Sequence, residues 1–123
     1  MLQMHMLLHD ASEAYIGDVV RPLKVSQPDY LALEEKTMGV IYQALGWPEP
    51  TERQLASIKF IDNAVLLAEA RDLITGGGKD WGMVKGIAWS ERIVPSTQRT
   101  AKFNFLNSYY WLESQLVGLR VVS

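Results

Sequence analysis

Cysteine is absent from the 123-residue chain, which excludes disulfides, thiolate zinc sites and cysteine nucleophiles. No apolar run approaches the roughly 20 residues of a membrane span. The segment from Met1 to Asp10 lacks a cationic flank and a clean apolar stretch, which argues against a secretory signal. A charge of one sign is lacking as well: 12 basic against 14 acidic residues leave −2. Bulk electrostatics therefore does not build a nucleic-acid surface here. What is present is ordinary globular stock, 48% apolar and 21% charged. That suits one domain over residues 1–123, with no membrane partner and a cytoplasmic location expected.

Helical periodicity dominates and no alternating strand stands out. The pattern predicts an all-α fold of about four main helices. The first runs from near Met1 to Ile16 and ends at Gly17, and residues 17–26, with Pro22, read as a loop. The second begins at Pro28 and continues to Leu45 before Gly46, with Leu31, Met38, Ile41 and Leu45 as its apolar stripe. Thr51 and Gln54 have the spacing of a capping box, opening a third helix to about Ile74, before Gly76-Gly77-Gly78. Residues 79–95 read as irregular with one short turn. A last helix over 96–117 carries Phe105, Tyr109, Leu112 and Leu116 on one face. The glycine run lacks a GK[ST] sequel and is no phosphate loop. The aromatics, Trp81 and Trp89 among them, are not interleaved with basic residues as nucleic-acid stacking would require.

Two places break the apolar pattern. On a helical wheel Asp62 falls inside a stripe of Leu55, Ile58, Val65, Leu66 and Leu73. A carboxylate there needs a partner, which is either a buried ion pair, a helix cap or a metal. On the first helix His9 and Glu13 are four residues apart and so share a face. Asp10 flanks them, and His5 lies one turn earlier, at the i, i+4 spacing that chelates one ion in HExxH helices. Imidazole and carboxylates without thiolate suit Mn, Fe, Co, Ni, Mg or a catalytic Zn. Arg21, Lys24 and Lys59 are the cations available for a phosphate.

The run His9-Asp10-Ala11-Ser12-Glu13-Ala14-Tyr15-Ile16-Gly17-Asp18, continuing to Pro22-Leu23-Lys24, resembles the central motif of HD-domain phosphohydrolases. The likeness is greatest to the YfbR-like 5′-deoxynucleotidases and their phage relatives. Ile58-Lys59-Phe60-Ile61-Asp62 and Leu67-Ala68-Glu69-Ala70-Arg71-Asp72-Leu73 resemble that family's later helix. The resemblance implies an HD-like helical bundle in which His9, Asp10 and Asp62 bind one divalent metal ion. It implies that Glu13 orients or deprotonates the attacking water and that Asp18 acts in catalysis or holds the sugar. Asp18 as a simple turn residue is the competing reading. Lys24 and Lys59 are the substrate-binding candidates.

The family's first metal-ligand histidine comes from an earlier helix, which has no counterpart in the nine positions before Asp10. Relative to the family the chain reads as N-terminally truncated, with His5 or a partner chain as replacement and a homodimer as one way to cover apolar surface. The expected activity is a metal-dependent phosphohydrolase acting on nucleotides, with a (deoxy)nucleoside 5′-monophosphate as the small-molecule substrate. The alternative is a non-catalytic helical module that serves as a structural or partner-binding subunit.

Overall fold

A computed structural model describes residues 1–78 and 85–121. Trp81 and the part of the irregular stretch at 79–84 lie outside the described residues. The fold class is all-α: the described residues form helices α1 (Leu2–Leu8), α2 (Glu13–Ile16), α3 (Arg21–Lys24), α4 (Pro28–Leu45), α5 (Glu52–Leu73) and α6 (Gln98–Leu116), followed by a 3₁₀ turn at Val117–Leu119. No helix among the described residues is long and apolar enough to cross a membrane. The chain divides into two compact units, Met1–Pro50 with Ser108–Ser123, and Thr51–Asn107.

In the first unit, α4 starts and stops where the sequence places it. Proline sits in its first turn, and Gly46 ends it in the left-handed region at φ +73°. The core gathers Met4 and Leu8 from α1, Tyr42 from α4, Trp47, and Leu112 from α6, with Met38, Leu45, Tyr109 and Leu116 packed against them. Each of those large apolar side chains contributes about 1.5–3 kcal/mol by leaving water. Trp47 also donates its indole N–H to the Tyr109 hydroxyl at 3.2 Å. Leu31, expected in the α4 stripe, is 40% exposed, whereas Tyr42 takes the buried place the stripe omitted. The chain end closes on this corner, with Val121 N–H donating to Gly46 O at 2.8 Å and Arg120 over the Trp47 ring.

In the second unit, the capping box forms as its spacing predicts. The Thr51 hydroxyl accepts from Gln54 N–H, and the Gln54 side chain accepts from Thr51 N–H. The predicted inner stripe of α5 holds only in part. Ile58 is buried, but Leu55 is 51% and Leu73 45% exposed, and the buried line runs instead through Ala64, Ala68 and Ala70. Small side chains allow close approach there: Trp89 N–H donates to the Ala64 carbonyl at 2.9 Å. The segment is then clamped. Arg71 grips Asp72 through two bonds of 2.7 Å and donates to the carbonyls of Trp89 and Glu91 at 2.9 Å. Asp72 in turn accepts from Ile93 N–H at 2.8 Å.

Candidate functional site

The first helix is not continuous to Ile16. Backbone bonds shift to i→i−3 at Ala11, Glu13, Ala14 and Tyr15, so the segment between α1 and α2 winds as a 3₁₀ turn. The His9 side chain contributes to this, because Nδ1–H donates to the Met6 carbonyl at 2.7 Å. The expectation of one continuous helix from Met1 to Ile16 is therefore corrected. Glu13 turns toward Asp10, Asp18 and Lys24.

His9 and Asp10 are brought together, with Nε2 3.1 Å from Asp10 Oδ2. The bond from Nδ1 to Met6 settles which ring nitrogen meets the carboxylate. A backbone carbonyl on the far nitrogen is the arrangement that orients metal-ligating histidines. The His9 contact holds the Asp10 carboxyl below its ordinary range, against an opposing push from burial. Asp10 is the more open of the two, its side chain 60% exposed.

Glu13 behaves in the opposite sense. Burial, followed by the charges of Asp10 and Asp18, pushes its carboxyl up to about 7, while Lys24 pulls weakly the other way and a hydrogen bond with Asp18 adds to the rise. A carboxyl with that value exchanges protons near neutral pH, which is what a general base requires. Asp18 itself is exposed, just past Gly17, whose φ of +75° ends α2 and turns the chain into the loop.

Lys24 Nζ is paired with Glu34 Oε1 at 2.9 Å. Asp62 is half-buried on α5 in the second unit, and Lys59, three residues earlier, is exposed. His5 is buried in the first unit. It is 1% exposed, its Nε2 donates to the Pro48 carbonyl at 2.9 Å, and its ring meets Tyr42 edge-on at 5.5 Å. Among the described residues no group of three or more histidine and acidic side chains is gathered around one metal position. Tyr30 and Glu34, which bind the loop after Gly17, escaped the sequence reading. Their partners lie 13 and 10 residues away across an irregular segment, where periodicity carries no signal.

No protein-family model matches the chain, and no solved structure matches it. The chain is similar to the uncharacterized protein YfdR of Escherichia coli strain K12, 39% identical over 85 residues. That stretch covers 69% of this chain and 46% of YfdR, so the likeness extends over about half the relative's length.

Proposed function

We propose that the chain is a divalent-metal-dependent phosphohydrolase acting on nucleotides, with (deoxy)nucleoside 5′-monophosphates as substrates. The observation that carries the reading is the paired His9 and Asp10, with Nε2 3.1 Å from Oδ2, and the Glu13 carboxyl that follows it beside Asp10 and Asp18. The donor chemistry of that pair fits a divalent cation, with His9 and Asp10 as the residues that would hold it. When bound, the cation supplies Lewis-acid polarisation of the phosphoryl group.

The chain's own groups supply the proton handling. Glu13 accepts a proton from water as the water oxygen bonds to phosphorus. The ester P–O bond breaks, and the nucleoside oxygen leaves with a proton taken up from solvent, to which Glu13 returns its own. Asp18 accepts a hydrogen bond from Glu13 once Glu13 carries the proton, which favours proton uptake. Lys24, within its pair with Glu34, supplies positive charge to the phosphate. Homodimerisation and a cytoplasmic location belong to this reading.

The test is metal content followed by phosphate release from deoxynucleoside monophosphates with added Mn or Co. Release that disappears in Glu13→Ala, with the helical circular dichroism intact, is the expected result. A chain that binds none of these ions and turns over no substrate overturns the proposal and leaves a helical partner-binding module. Light scattering reads the oligomer in the same preparation.

A further inference from the structure

The segment after α2 has little apolar packing to hold it. Val20 is 68%, Leu23 51% and Val25 73% exposed, so burial contributes little of the ordering free energy that a fixed loop needs. Polar bonds from α4 take that place. The Tyr30 hydroxyl donates to the Gly17 carbonyl at 2.6 Å, while the Gly17 amide donates to Glu13 O at 2.9 Å. The residue immediately before Asp18 is thus held on both sides. At the other end of the loop Lys24 pairs with Glu34 at 2.9 Å, both side chains about three-quarters buried. The Lys24 ammonium also lies 5.6 Å from the centre of the Tyr30 ring, close enough for cation–π attraction. Tyr30 and Glu34 are four residues apart, so one face of α4 presents both anchors.

We propose that Tyr30, Lys24 and Glu34 form a two-point latch that holds the Gly17–Lys24 loop on α4 and thereby keeps Asp18 beside Glu13. All three are positioning residues. The latch itself stands on the contacts above; its catalytic consequence rests on the hydrolase reading of Glu13 and Asp18. Lys24 accordingly acts first on the loop and only secondarily on a phosphate.

The experiment is amide hydrogen exchange on the full ¹⁵N-labelled chain, comparing the parent with Tyr30→Phe, Glu34→Gln and the double variant. Each single change removes one tether, and exchange over residues 18–25 rises about fivefold, the scale of one net hydrogen bond. The double variant rises by about the product of the two, with α1 and α4 amides unchanged. Lys24→Arg, which keeps the ion pair, stays near the parent. Unchanged loop exchange in the double variant overturns the latch. Phosphate release is measured on the same samples: a fall in kcat with KM nearly constant supports positioning, and full activity on a loosened loop refutes it. Loosened exchange in a chain whose parent releases no phosphate upholds the latch and counts against the hydrolase reading alone.

Discussion

Glu13 and Asp72 are both carboxylates near the end of a helix, and their surroundings drive them in opposite directions. Glu13 is partly buried among like charges, and its carboxyl rises to about 7. Asp72 receives the Arg71 guanidinium first and the Ile93 backbone N–H second, which together hold it well below the usual carboxylate range. In the first unit the fold tolerates an electrostatic cost at Glu13. In the second unit the same functional group ties a segment down. Perturbed acids arise from either cause, and the direction of the shift separates them here.

The largest effect that sharpens the contrast is catalytic. Glu13→Gln keeps the shape but cannot take a proton, and phosphate release falls about 10²- to 10⁴-fold. Stability at pH 8, followed by thermal unfolding, moves the other way and rises. Folded Glu13 binds its proton more tightly than unfolded Glu13. Stability therefore falls as pH climbs from the ordinary 4.5 through about 7. The glutamine variant lacks that fall, and at pH 4 it melts with the parent.

Arg71→Ala breaks the second region. It leaves Asp72 without its guanidinium and two carbonyls without donors, so the unfolding midpoint drops and amide exchange at Ile93 accelerates. Phosphate release per folded molecule stays at the parent level. The acid limb gives a subtler separation. Asp72 is depressed in the folded state, so its contribution is present above the unfolded carboxylate value and is lost as pH falls through the folded one. Asp72→Asn removes that acid-side loss but leaves the neutral-side slope from Glu13 in place. The smallest change is Thr51→Ala, which deletes the capping-box acceptor of α5 and costs about 1 kcal/mol in urea denaturation.

Much of the helical framework was legible from local chemistry. Pro28 and Gly46 bracket α4, and Thr51 with Gln54 opens α5, because propensity and capping act over three or four residues. The inner faces were read less well. Leu55 and Leu73 are exposed, and alanines form the buried line of α5, since a wheel scores hydrophobicity and not how closely a neighbour can approach. Of the candidate site, the His9–Asp10 pair is a neighbouring pair in sequence and was visible as such. The break between α1 and α2 was not read, because the bond from His9 to Met6 and the i→i−3 bonds that follow leave no mark in the apolar periodicity.

Helix type, helix ends and the identity of the ionisable groups follow from residues close together along the chain, whose interactions survive in almost any surroundings. Tertiary structure alone committed His5 to Pro48 and Tyr42 in the core, joined Lys24 to Glu34, and tied Tyr30 to Gly17. It also set the surroundings that raise one acid and depress another. Burial and charge act through space, so they exist only once distant segments meet.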